Sequence, residues 1–384
     1  SVAHKSRWSA FLCSMSALIA LLARQRPAVY VARNKDTLSV AQGQMILDSW
    51  MSDIRQRVDA LLERFFEEKL EEAGELSPRA VELVVEVRDL TMRGGKRLRP
   101  IVTAAAYRAV HGPGSGEPTF AVGASLELLQ TYLLIHDDWM DEDVERRGGP
   151  AVHYAFQEKH GHPHLGASLG VLAGDLASTF SWELFLRGGF PERRRDEANR
   201  LFVRIQKEVF AGQQLDLMAD EDVERMHDLK TGSYTTRGPA ELGGLLAGGS
   251  AEAMQSLRDW SAPLGVAFQL RDDLLGTFGS AQDTGKPGDD LRHGKHNAVV
   301  GAFSRLGADD EARALVDAVW GEADASDEAL RAATEVLADA RAEVETRLAF
   351  LADEARSALA ASAFDDEAKA MLTEVTRRLT DRGS

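Results

Sequence analysis

Two clusters of aspartates carry the chemistry most open to reading. Asp137, Asp138 and Asp141 close an apolar run over 126–135, and Glu142 and Asp143 follow. Residues four apart share a helix face, so Asp137 and Asp141 point the same way. Asp272 and Asp273 end a second apolar run, 264–270. A helix dipole disfavours acids at that end, so their placement there points to function. Carboxylates gathered at one cavity mouth repel one another unless a cation joins them. An oxygen-only set suits a hard ion, and Mg²⁺ takes a few carboxylates together with phosphate and water. Two such clusters facing across a cavity could hold a diphosphate. Each cluster alone also fits an ordinary solvated helix end.

Cations supply the other half. Gly94-Gly95 precedes Lys96, Arg97 and Arg99, and Arg146-Arg147 precedes Gly148-Gly149. Glycines let backbone approach an anion, and Arg binds phosphate oxygens bidentately. Lys230-Thr231, Lys286 and Lys295 are further cations in glycine-bearing or acidic neighbourhoods.

The elements that must position these groups read as helices. From about residue 44 apolar residues recur at helical spacing, as in Ile54, Val58, Leu61, Leu62, Phe65 and Phe66. Further helical stretches cover 100–110, 119–140, 165–186, 197–217 and 251–275, and the last third is amphipathic and Ala-rich. Breakers fall at 111–118, 187–191 and 279–290. Alternating β-branched runs are nearly absent. The expected fold class is all-α, a single large helical bundle around a central cavity.

Composition narrows the function. The chain has 384 residues, with 45 Lys plus Arg against 61 Asp plus Glu, a net charge of −16. That argues against a nucleic-acid binder. One cysteine, Cys13, excludes a disulfide framework or a Cys-rich zinc site, and a cytoplasmic setting is the simplest reading. Lys5 and Arg7 precede an apolar run over 8–23, which Arg24, Arg26 and Pro27 stop. The run is short for a spanning helix. It reads as part of an N-terminal extension, 1–45, before the domain at 46–384, with a weak peripheral membrane contact as the alternative.

The motifs in order resemble those of trans-prenyltransferases of the polyprenyl synthetase family, the short-chain isoprenyl diphosphate synthases. They are GGKRLRP at 94–100, LLQTYLLIHDDWMDEDVERRGGPAVH at 128–153, LAGDLA at 172–177, GQQLDL at 212–217, KTGSY at 230–234, FQLRDDLLGTFG at 268–279 and GKPGDDLRHGK at 285–295. The resemblance implies the isoprenoid synthase fold. It implies Mg²⁺-dependent condensation of isopentenyl diphosphate with an allylic diphosphate, by a homodimer. The apolar stretch 119–134 is long enough to be buried on several sides, as such a dimer would ask.

Residue by residue, the resemblance assigns Lys96, Arg99 and Arg147, with Gln130 beside them, to isopentenyl diphosphate. Asp137 and Asp141 would bind Mg²⁺ on one side of the allylic diphosphate and Asp272 on the other. Asp138, Asp216 and Asp273 stand behind them as further acids of the metal site. Arg146, Lys230, Lys286 and Lys295 would neutralise the allylic diphosphate. Thr231 and Gln269, with Lys230, form the catalytic group, their oxygens facing the reacting carbons. Tyr132, five residues before Asp137, would be a floor for the growing chain. Leu133 makes that floor partial, which favours geranylgeranyl diphosphate over farnesyl or longer products. His136 should point elsewhere, as a structural neighbour of Asp137.

Two departures stand out. Gly276 occupies the place of a third acid, and His296-Asn297 follows Lys295 where a basic residue and Thr are common. A class I terpene cyclase would not need GGKRLRP, and a non-catalytic synthase subunit would lack the intact first aspartate cluster.

Overall fold

The computed structural model describes residues 40–113, 116–279 and 289–381. Lys286 and the run 8–23 lie outside the described residues, as does most of the expected extension 1–45. Residues from Ile46 onward form one compact unit.

In chain order the helices are α1 (Val40–Leu76), α2 (Ala80–Met92), α3 (Leu98–His111) and α4 (Phe120–Met140), the last entered through a 3₁₀ turn (Glu117–Thr119). A small hairpin follows, Glu145–Arg146 antiparallel to Gly149–Pro150, the only strands among the described residues. Then come α5 (Val152–His160), α6 (Pro163–Leu186), α7 (Glu192–Leu217) and α8 (Val223–His227). A π-helical segment, Asp228–Arg237, runs from α8 into α9 (Gly238–Leu246). The chain continues through α10 (Ala251–Phe278), α11 (Asp289–Arg292), α12 (Ala298–Leu306), α13 (Asp310–Asp317) and α14 (Asp327–Val336). It ends with α15 (Ala338–Ala361) and α16 (Asp366–Thr380). The helical expectation holds throughout; the hairpin and the π segment were not read from the sequence.

Helix α4 is apolar nearly all round, and such a helix must be central. Leu126, Leu128 and Ile135 are fully buried. The helix is long and apolar enough to cross a membrane, yet 67% of that window is buried inside the protein. Its packing partners are α3 and α6 of the same chain. Most of the apolar stretch 119–134 is buried in the chain's own core, while Ala121, Gln130, Tyr132, Leu133 and Leu134 are half-buried. On α7, by contrast, Val203, Phe210 and Leu217 repeat every seven residues on one face and stay exposed, at 43%, 47% and 55%.

The core has a second anchor in Trp260 of α10, fully buried, whose indole N–H donates to Thr376 Oγ1 on α16 at 2.9 Å. Further along, α12 to α15 wrap the end of α10 around Val299, Leu330, Leu337 and Leu351.

Two close approaches set the geometry of the site. A Cβ on Gly212 of α7 would stand 2.2 Å from the backbone N of Lys230. A Cβ on Gly265 of α10 would stand 2.4 Å from the Cα of Gly232. The π segment is thus pinned between α7 and α10, with backbones closer than any side chain allows. Turns of π-helix are rare and concentrate at functional sites. This one carries Lys230 and Thr231.

Candidate active site

The helices enclose a cavity of about 760 Å³. Its α4 wall is the stripe Glu127, Gln130, Leu134, Asp137 and Asp141, spaced three and four apart as one helix face requires. Lys96, Arg99, Arg146 and Arg147 line one side, and Asp216, Lys230 and Thr231 another. Gln269, Asp272 and Asp273 of α10 face them, and Lys295 stands nearby.

Lys230 organises the acids. Its Nζ donates to Asp216 Oδ2 at 2.5 Å and to Asp137 Oδ1 at 3.2 Å. Gln213 Nε2 donates to the same Asp137 oxygen at 3.0 Å. Burial alone would lower the Lys230 pKa, but the two carboxylates outweigh it and hold the ammonium well above its ordinary value. Asp141 is pushed up by burial and then by Asp137. Asp272 is exposed to the open cavity, with protein crowded around the mouth. Desolvation by that crowding raises its carboxyl well above the usual range; Arg271 and Lys96 oppose, while Asp273 and Asp290 add.

Among the described residues no three acidic or histidine side chains close on one point. A divalent ion here would draw the rest of its shell from a ligand. The donor set is oxygen-only and split across the cavity, which fits Mg²⁺ held by one or two carboxylates plus phosphate oxygens.

Asp138 departs from expectation. It does not line the cavity and is fully buried. Its Oδ1 accepts from Arg146 Nε at 2.6 Å. Burial, opposed by Arg146, pushes its carboxyl up to about 6. Its work is to hold Arg146, which also donates to Asp143 at 2.9 Å. Asp273 is likewise engaged with protein donors, as detailed below.

The cations crowd one another on the opposite side. Arg99 is 6% exposed; it donates to Gln130 Oε1 and, at 2.8 Å, to Thr235 Oγ1. Its guanidinium lies 4.2 Å from the Tyr234 ring centre. Arg147 donates to the Gly94 carbonyl at 2.9 Å. Burial lowers the pKa of Lys96 and of Arg147, and neighbouring guanidiniums add to it: Arg271 at Lys96, and Arg97, Arg99 and Arg146 at Arg147. An anion relieves this crowding.

Arg97, between Lys96 and Arg99 in sequence, does something else. Its backbone is left-handed, at φ 48°. Its side chain pairs with Glu127 at 2.9 Å and Asp59 at 2.8 Å, and donates to Thr91 O at 2.9 Å. It ties α1, α2 and α4 together. Arg93 has a related role that sequence reasoning missed. Its Nη1 donates to the carbonyls of Arg146, at 3.0 Å, and Pro150, at 2.8 Å, clamping the hairpin that carries Arg146 and Arg147. Only its place beside the glycine pair could have drawn attention to it.

Asn297, where Thr was expected, caps α12 by accepting from the N–H groups of Val299 and Val300, both at 3.1 Å. It also donates to Thr277 Oγ1 and Asp290 Oδ2, both at 3.0 Å.

Tyr132 and Leu133 do not line the cavity; Leu134 does. Tyr132 sits in the wall between α4 and α7, edge-on to Phe210 at 6.2 Å between centroids. Leu133 packs into the cluster around Phe185 and Phe202. His136 is turned from the cavity as expected, with Nε2 3.2 Å from Val171 O.

The chain matches a family model described as Polyprenyl synthetase over residues 81–337, more than half its length. The geranylfarnesyl diphosphate synthase of Aeropyrum pernix is 30% identical over 308 residues, covering 76% of this chain and 92% of that one. The geranylgeranyl diphosphate synthase of Sulfolobus acidocaldarius is 32% identical, covering 64% and 73%. A solved structure, the geranylgeranyl pyrophosphate synthase of Corynebacterium glutamicum complexed with isoprenyl diphosphate and magnesium, is 32% identical with a TM-score of 0.79. The likeness covers 88% of this chain and 99% of that one.

Proposed function

The chain belongs to the polyprenyl synthetase family and is a prenyl diphosphate synthase. From that premise we propose that it joins isopentenyl diphosphate to an allylic diphosphate with Mg²⁺, and that geranylgeranyl diphosphate is its main product. The observation that carries the reading is the division of one cavity into an acid side and a cation side, with Thr231 and Gln269 among its lining residues.

Arg99, Arg147 and Lys96 hold the isopentenyl diphosphate, with Gln130 oriented by its bond to Arg99. Asp137, Asp141 and Asp272 would hold Mg²⁺; Asp216 keeps Lys230 in place. Bound Mg²⁺ supplies charge that neutralises the leaving diphosphate. Lys230, Arg146 and Lys295 add fixed positive charge at the same group, aimed where negative charge grows as the C–O bond weakens. The helical walls keep water from the allylic cation. The oxygens of Thr231 and Gln269 face that cation. In this reading the released diphosphate takes the proton, and His136, turned away from the cavity, has no part in it.

Product length rests on Tyr132. Tyr132 and Phe210 stand behind the cavity wall at Leu134, so in this reading a chain must displace Leu134 before their rings stop it. Proteins named geranylgeranyl, geranylfarnesyl and farnesyl diphosphate synthase all resemble this chain, so kinship does not choose the length and the proposal rests on Tyr132. We also place a homodimer contact on the exposed pair Val203 and Phe210 of α7, while Leu217, at the end of the same row, lines the cavity.

The test is incubation of the purified chain with labelled isopentenyl diphosphate, an allylic primer and Mg²⁺, with mass analysis of the product. Turnover should vanish on chelation and return with Mg²⁺. Asp137→Ala should cost at least about 100-fold in kcat, since it strips charge stabilisation from the leaving group. Near-normal rates in that variant would remove the metal assignment.

A further inference from the structure

Asp273 reads from the sequence as another metal-site acid, yet both its oxygens are engaged by protein N–H donors. Oδ1 accepts from Gln269 Nε2 at 3.0 Å. Oδ2 accepts from the backbone N of Ala298 at 2.8 Å and lies 3.3 Å from His227 Nε2. The residue is 4% exposed. Ala298 opens α12, and a helix N-terminus favours a negative charge. His227 is itself buried and comes from α8, three residues before Lys230. Two hydrogen-bond donors and the adjacent His227 imidazole, from three elements, leave Asp273 one orientation.

That orientation decides which way the Gln269 amide faces. An amide has an acceptor end and a donor end. Gln269 Oε1 accepts from Thr231 Oγ1 at 3.0 Å while its NH₂ is given to Asp273. Turned over, its oxygen would abut the Asp273 carboxylate, acceptor against acceptor, and its N–H groups would face Thr231 and the cavity. An N–H dipole there would raise the energy of a developing carbocation, whereas an oxygen lowers it. The bond also aligns Thr231: with its proton given to Gln269, the hydroxyl turns its lone pairs away from that bond.

We infer that Asp273, fixed by His227 and the N-terminus of α12, is a positioning residue that keeps the Gln269 oxygen and the Thr231 hydroxyl turned toward the reacting carbons, and is not a metal ligand. This rests on the reading above, in which those carbons lie beside Thr231 and Gln269.

Asp273→Asn preserves shape but puts an NH₂ where one of the donors points, freeing Gln269 to reverse. The expected result is a fall in kcat of about 100-fold, the scale of a misplaced catalytic group. The KM for isopentenyl diphosphate, the Mg²⁺ concentration for half-activation and the calorimetric affinity for an unreactive allylic thiolodiphosphate should stay within about threefold, because no binding group is lost. His227→Leu should reproduce the kcat defect, and His227→Gln, which keeps an N–H donor, should restore most of it. A kcat loss below about tenfold in Asp273→Asn overturns the inference. So does a rise in the Mg²⁺ requirement beyond threefold, or a His227→Gln variant as poor as His227→Leu. If the wild-type chain forms no prenyl diphosphate, the functional reading fails; if it does and Asp273→Asn keeps pace, only the positioning role fails.

Discussion

The carboxylate of Asp290 fills the space that a side chain on Gly276 would need: a Cβ built there stands 2.3 Å from Asp290 Oδ2. The acid expected at 276 is thus absent, and one arrives in its place from α11. Asp290 lines the same cavity and is turned by Asn297.

Restoring the missing acid should therefore do harm. Gly276→Asp forces two carboxylates into one volume, and overpacking of this kind costs about 1–3 kcal/mol. Thermal denaturation should show the loss, and kcat/KM should fall with it. Adding Asp290→Ala should recover both. A single Gly276→Asp variant as stable and active as wild type would show that the two positions do not compete.

The two diphosphate sites should separate kinetically. Arg99→Ala removes a buried charge-assisted anchor worth about 1.5–3 kcal/mol, so KM for isopentenyl diphosphate should rise roughly 10- to 100-fold. Lys230→Ala strips Asp137 and Asp216 of their shared cation and should act on kcat and on the allylic substrate. Steady-state kinetics with each substrate varied in turn will show the split. Identical effects of both variants on both substrates would contradict it.

Tyr132→Ala should lengthen the product by one or more isoprene units. It takes away the ring that meets Phe210 and opens the α4–α7 wall. Mass spectrometry of the extracted products reads the result. An unchanged product from a folded, active variant would leave the chain-length assignment without its main support.

Phe210→Asp places a charge in the exposed apolar row on α7. Sedimentation of the wild type at micromolar concentration should show a dimer, and the variant should shift toward monomer. A wild type that sediments only as monomer with full activity would dispose of this interface. Because Phe210 also touches Tyr132, the variant's product should be measured alongside.

The helices and the chemical inventory were legible in the residue order because both are local properties. The period of Val122, Leu126, Leu129 and Leu133 specifies a helix whatever surrounds it, and Asp137 and Asp141 share a face by the 3.6-residue turn alone. The glycine pairs beside Lys96 and Arg147 likewise form a local pattern that can be read without any fold. Tertiary packing decided which of the like residues in each cluster acts. Lys96, Arg97 and Arg99 are alike on paper, but a left-handed backbone at Arg97 and the positions of Glu127 and Asp59 turn its guanidinium into the scaffold. Asp137 and Asp138 are adjacent, yet one meets Lys230 across the cavity and the other is sealed against Arg146. The π segment depends on Gly212 and Gly265 letting two helices approach it, and Asp290 reaches Gly276 from fourteen residues away in the chain. Side-chain direction beyond one helical turn, and the partner each buried charge must find, depend on contacts between distant segments. Those contacts exist only once the chain has packed.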